Sequence, residues 1–187
     1  MKNLKNLALF LLPFLIISCS NDEIAPEKYT PLGTYDSGIL VLNEGKFQSS
    51  NSKISYISND MSTFQNDIFS IVNPTVNLGD TAQSMFLNGN LAYIVVNYSN
   101  KIQVVNRYSM AHIATITGLN SPRYMTISNG KGYVTCWGTN SSPTDDYVAV
   151  INLSTNSVIS TISVSADPEQ IVENAGKLYV AHYGFGY

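Results

Sequence analysis

Three observations predict an all-β fold of the β-propeller class. First, Gln83–Tyr98, Arg123–Trp137 and Glu169–Tyr183 are one segment written three times: QSMFLNGNLAYIVVNY, RYMTISNGKGYVTCW and EQIVENAGKLYVAHY. Each holds a short strand, a turn centred on Asn-Gly or Ala-Gly, and a second strand built on Tyr-Ile or Tyr-Val. Second, Tyr93 to Tyr133 spans 40 residues and Tyr133 to Tyr179 spans 46. Four strands per ~40–45 residues is the period of propeller blades. Third, the composition suits short strands joined by polar turns. Only 12% of residues are charged, against about 25% in typical domains. The chain holds 20 Asn, 22 Ser and 12 Gly, all turn formers.

The chain begins with a targeting segment, residues 1–18. Lys2 and Lys5 supply positive charge, and Leu7–Ile17 is an apolar run of 11 residues, too short to span a bilayer as a helix. The run ends in Ile16-Ile17-Ser18-Cys19, which resembles the bacterial lipobox. That resemblance implies cleavage before Cys19 and acylation of its thiol. An ordinary signal peptide with an incidental Cys is the alternative; position, spacing and flanks favour the lipobox. Residues 19–37 then read as a tether, carrying Asp22, Glu23, Pro26 and Pro31. Acidic residues just after a lipid-bearing Cys resemble the surface-export signals of some Gram-negative lipoproteins.

The propeller material is residues 38–187. Gly38–Asn43 matches Ala92–Asn97, and Lys53–Ser58 matches Lys101–Asn106. Ile68–Val72 is expected as a further strand. The next blade is Gln83–Leu87, Ala92–Asn97, Lys101–Asn106 and His112–Thr117. The one after it is Tyr124–Ser128, Gly132–Trp137, Tyr147–Leu153 and Val158–Val164. In its last strand Val158, Ser160, Ile162 and Val164 alternate with period two. The longer spacing of the second interval has a single location. Val104-Val105-Asn106 matches Val150-Ile151-Asn152, so the extra residues lie in a loop, Gly138–Asp146, where an insertion does no harm to the core.

On this alignment the first blade lacks its innermost strand and the last has only its first two. About three blades of material are present, fewer than the about 4–8 of closed rings. The expectation is a truncated chain; closure by dimerisation is the alternative. Cys136 lies in a strand and is expected to be a buried small hydrophobe. The only histidines are His112 and His182, so no metal-ligand spacing exists. His112 is expected at the surface of an outer strand. The net charge is −3 with no basic run beyond the N-terminus, which argues against nucleic acid as a partner.

Leu42-Asn43-Glu44-Gly45, Leu78-Gly79-Asp80-Thr81-Ala82-Gln83-Ser84-Met85 and Tyr93-Ile94-Val95-Val96-Asn97 resemble the N-terminal half of bacterial surface propeller lipoproteins with YVTN-type repeats. Gly118–Tyr124 and Lys177–His182 fit the same pattern. The family is related to cobalamin-binding propeller lipoproteins that partner TonB-dependent outer-membrane transporters. The resemblance covers nearly all of the mature chain. It implies a seven-bladed ring, a lipid anchor in the outer membrane facing the cell surface, and capture of a corrinoid-like small molecule without catalysis or cofactor.

Strand direction in a four-stranded meander puts two kinds of loop on one face. They are the loop entering the first strand and the loop joining the second to the third. That face collects Asn43, Glu44, Gln83, Asn97, Tyr98, Arg123, Trp137, Glu169, His182 and Tyr183, the candidate ligand-binding residues. Tyr98, Trp137 and Tyr183 are read there as matching repeat positions. Aromatics beside Asn, Gln and Arg suit a flat, polar-edged ligand such as a corrinoid or a glycan; packing between blades is the competing role. Arg123 and Glu169 share one repeat position, either as a ligand pair or as an inter-blade salt bridge. The opposite face receives only tight turns. The competing functions are a propeller enzyme of lactonase or quinoprotein type and a structural or adhesive surface protein. No nucleophile–base–acid set favours the enzyme.

Overall fold

The computed structural model describes residues 29–139, 142 and 144–184. Cys19, the targeting segment and most of the tether lie outside the described residues. Two compact units are distinguished, Met1–Thr30 and Pro31–Tyr187; the second holds every element below. Among the described residues no helix is long and apolar enough to cross a membrane.

The unit is a series of antiparallel meanders. The first sheet is β1 (Ile39–Asn43), β2 (Lys53–Ile57) and β3 (Phe64–Gln65). After α1 (Ile68–Val72) comes a four-stranded sheet of β4 (Ala82–Asn88), β5 (Leu91–Val96), β6 (Lys101–Asn106) and β7 (His112–Ile116). The third sheet is β8 (Pro122–Ser128), β9 (Lys131–Cys136), β10 (Tyr147–Asn152) and β11 (Ser157–Ser163). Last are β12 (Pro168–Asn174) and β13 (Lys177–His182), paired with each other. Chain order and spatial order agree within every sheet, as propeller blades require.

The blade hairpins follow from their turn residues. Asn129-Gly130 and Ala175-Gly176 both have positive φ at each central residue, the mirror-image turn whose twist matches the strands it joins. Each first strand also carries a bulge near its start, between Ala82 and Ser84, Pro122 and Met125, and Pro168 and Ile171. A bulge turns the extra side chain away from the regular pleat. Gln83 is the extra residue of the first; in the other two, Arg123-Tyr124 and Glu169-Gln170 each stand opposite a single residue of the partner strand, Thr135 and Ala181.

Two apolar layers form between blades. Ile54, Ile94, Val96, Val105, Ile68 and Phe69 fill the layer between the first and second sheets. Tyr93, Val95, Ile102, Val104, Met125, Val134, Cys136 and Ala149 fill the next. Alternate residues of β5 thus serve opposite layers, which explains the near-continuous apolar run Ala92–Val96. Cys136 is completely buried, as the sequence suggests, and burial pushes its thiol up to about 12.

Three readings need correction. Ile68–Val72 is a helix, and the third strand of the first sheet is the two-residue Phe64–Gln65. Ile68, Phe69 and Val72 turn inward together, the i, i+1, i+4 spacing of a helix rather than the alternation of a strand. Asn73 stops the helix by donating its N–H and its Nδ2 to Phe69 O, and Pro74 follows. Second, the match of Gly38–Asn43 to Ala92–Asn97 is shifted by one. Asn43 pairs with Lys53 as Val96 pairs with Lys101 and Cys136 with Tyr147. Glu44, not Asn43, is therefore the partner of Asn97 in the repeat. Third, His112 is half-buried rather than at the surface, its Nε2 bonded to Gln103 Oε1 and Thr115 Oγ1.

Candidate functional site

The face bearing the longer loops is tied together by one device used three times. A residue with left-handed backbone precedes each first strand: Thr81 (φ 60), Ser121 (φ 48) and Asp167 (φ 55). Its carbonyl accepts the N–H of the residue just after the second strand: Asn97 at 2.8 Å, Trp137 at 3.2 Å and Tyr183 at 2.8 Å. These bonds make Asn97, Trp137 and Tyr183 the equivalent positions. Tyr98 lies one residue further on, where the other blades have Gly138 and Gly184. The reading of Tyr98 as their match is corrected by this register.

Side chains at the equivalent position link neighbouring blades. Asn97 Nδ2 donates to Pro122 O, and Trp137 Nε1 donates to Pro168 O, both at 3.1 Å. The residue before each third strand adds a second link. Asn100 Oδ1 accepts the Ser121 N–H at 2.8 Å, and Asp146 Oδ2 accepts the Asp167 N–H. Burial pushes the Asp146 carboxyl upward against the pull of that bond.

The Arg123–Glu169 question resolves as an inter-blade pair. Arg123 Nε meets Glu169 Oε2 at 2.8 Å and Nη2 meets Oε1 at 2.6 Å, a two-pronged contact between β8 and β12. Their side chains are 13% and 22% exposed. The guanidinium also lies over the Trp137 ring, 3.9 Å from its centroid. Gln83 Nε2 reaches Tyr124 Oη at 3.4 Å, again across a blade boundary. Asn43 Nδ2 donates to Ser55 Oγ within its own sheet. His182 Nδ1 faces Ala166 O at 2.9 Å, with the ring exposed. Glu44 and Tyr183 are exposed to solvent.

Tyr98 differs from the packed row. It is 47% exposed and meets Phe47, itself 60% exposed, edge to face with centroids 4.6 Å apart. Gln48 Nε2 donates to the Tyr98 hydroxyl at 3.1 Å. Phe47 was not anticipated, because the loop joining β1 to β2 differs in length and sequence from its counterparts in the other blades. Its signal in the sequence is Gly45 followed by a lone aromatic in a polar stretch.

This loop is held in a demanding conformation. Gly45 (φ 86), Gln48 (φ 60) and Ser50 (φ 47) all have left-handed backbone, which costs free energy at the two non-glycine positions. A Cβ on Gly45 would meet Asn51 Oδ1 at 2.6 Å. Buried Asp80 offsets the cost: its carboxylate accepts N–H bonds from Ser50 at 2.9 Å and Gln48 at 3.2 Å. The Ser50 N–H leads the causes that hold the Asp80 carboxyl below its usual range.

A depressed native pKa contributes stability that is present above the ordinary carboxylate range and is lost as pH falls through the native value. Asp80→Asn is therefore expected to melt below the wild type at neutral pH. The gap should close in acid, where the wild-type carboxylate is itself neutralised. Thermal melts across that range check it; a gap constant with pH would show that charge at Asp80 plays no part.

Comparison with solved structures finds propeller-containing proteins. Hydrazine synthase of Kuenenia stuttgartiensis aligns with a TM-score of 0.54 and 16% identity over 74% of this chain. The aligned part is 37% of that chain, so this protein spans well under half of its length. A nidogen/laminin complex aligns at 18% identity and TM-score 0.45, covering 62% of this chain and 40% of that one. At such identities the likeness to hydrazine synthase speaks to fold alone, and the fold is β-propeller-like. No curated protein matches the chain. A family model matches residues 37–186, and the chain belongs to that family, described as Domain of unknown function (DUF5074).

Proposed function

We propose that the protein is a non-catalytic, lipid-anchored binding protein of the outer membrane. Its long-loop face captures a ring-bearing small molecule, corrinoid-like by the resemblance of its repeats, for a TonB-dependent transporter. The observation that carries this reading is the exposed Phe47–Tyr98 pair, 4.6 Å apart on a backbone-strained loop. Solvent-exposed aromatics pinned in place by a buried carboxylate are a pre-organised stacking surface. Glu44 and Tyr183, both exposed to solvent, belong to the same set of candidate residues.

Anchoring and capture are tested separately. Cys19→Ala is expected to abolish incorporation of labelled fatty acid and to release the protein from membranes. Unchanged labelling would remove the anchor from the proposal. For capture, cyanocobalamin is titrated into the native protein by calorimetry. Binding in the micromolar range supports the reading; no heat at saturating ligand contradicts it.

A further inference from the structure

We propose a second site: the cavity between the first and second blades takes a neutral, polyhydroxylated ligand, a saccharide unit. The proposal does not rest on the aromatic pair, which shares the β1–β2 loop with the cavity but contributes no side chain to it.

The cavity has a volume of about 430 Å³, within the roughly 300–1,000 Å³ of small-molecule sites. One wall is the end of the β1–β2 loop and the start of β2, with Ser50 and Lys53. The other is α1 and the linker before β4, with Asp67, Ser70, Thr75 and Val76. The lining is thus hydroxyl, amide and charged groups with an apolar strip.

The charged groups decide the ligand class. Lys53 Nζ and Asp67 Oδ2 are 3.3 Å apart, with side chains 51% and 27% exposed. That is longer than the about 2.7–2.9 Å of a tight charge-assisted bond. The ammonium keeps further donors to offer. Asp67 Oδ1 is out of solvent and has no partner, and the residue sits in left-handed backbone at φ 55. Backbone strain at a residue of the cavity wall is found at binding sites more often than in plain packing; Oδ1, out of solvent, is closed to a ligand as the residue stands.

An anion entering here would meet the Asp67 carboxylate, and a cation would meet Lys53. A ring bearing hydroxyls meets both, since each hydroxyl donates and accepts at once. Ser50, Ser70 and Thr75 add hydroxyls of their own, and Val76 offers a surface for the C–H face of the ring.

The test is saturation-transfer NMR on the native protein. The probes are methyl glycosides of glucose, galactose, mannose and N-acetylglucosamine, with inorganic phosphate and choline as charged controls. At least one glycoside is expected to bind at millimolar concentration while neither control does. Asp67→Asn keeps a residue that tolerates left-handed backbone, and Lys53→Met keeps the aliphatic stem. Each is expected to weaken glycoside binding about tenfold or more, with the fold intact by circular dichroism. Cyanocobalamin binding should be untouched by either change, which separates this site from the aromatic one. Failure of every glycoside to bind overturns the proposal. So does binding of phosphate or choline in its place, or glycoside binding that both variants leave unchanged.

Discussion

Tyr93→Ala is expected to destabilise the protein by about 3–5 kcal/mol, the range for emptying a large buried aromatic site. Tyr93 is 1% exposed in the layer between the second and third sheets. A typical domain holds only about 5–15 kcal/mol in total, so this single change removes a large share. The same position in the last pair of strands is Tyr179, which is 51% exposed. Tyr179→Ala is expected to cost below about 1 kcal/mol. The two substitutions are chemically identical and occupy one repeat position. They differ in burial alone, 1% against 51% exposed. Denaturant unfolding of both variants checks the contrast, and equal losses would contradict blade-on-blade stacking as the source of stability.

Glu169→Ala is expected to cost about 2–4 kcal/mol, somewhat under the full range for stranding a buried charge, because the pair is not wholly enclosed. The loss comes from Arg123, a side chain only 13% exposed in the wild type and lying over Trp137, left without its carboxylate. Most of that penalty should disappear in Arg123→Met/Glu169→Met, where no charge remains to be desolvated. A double variant as unstable as the single one would show that the pair stabilises by its own attraction. Trp137→Ala should also lower the melting temperature, since it removes the Nε1 bond to Pro168 and the ring beneath the guanidinium.

Much of this was legible in the residues. The Tyr-Val strands and Asn-Gly turns declare their hairpins through local chemistry alone, and the Gly138–Asp146 insert declares a loop. Where the sequence misled, distant structure had decided the outcome. Ile68–Val72 is too short for period to distinguish helix from strand; Asn73, Pro74 and the need to cover Ile54 settle it. The one-residue slip at Asn43 arose because the β1–β2 loop differs in length from its counterparts, so only the pairing with Lys53 fixes the register. Spacing placed Arg123 and Glu169 at one repeat position. It could not say that bulges in successive first strands would aim them at each other. Phe47 belongs to a loop whose length and sequence match neither of its counterparts, and its partner Tyr98 is 51 residues away.

The central claim divides the long-loop face in two: a packed row that holds blades together, and an exposed aromatic pair that contacts ligand. Cyanocobalamin affinity of Tyr98→Ala and Trp137→Ala, measured side by side with their melting temperatures, tests it most directly. Tyr98→Ala should lose about tenfold or more in affinity and melt close to the wild type. Trp137→Ala should melt lower and, below its melting point, bind nearly as well as the wild type. The reverse pattern, with affinity lost at Trp137 and stability lost at Tyr98, would contradict the account.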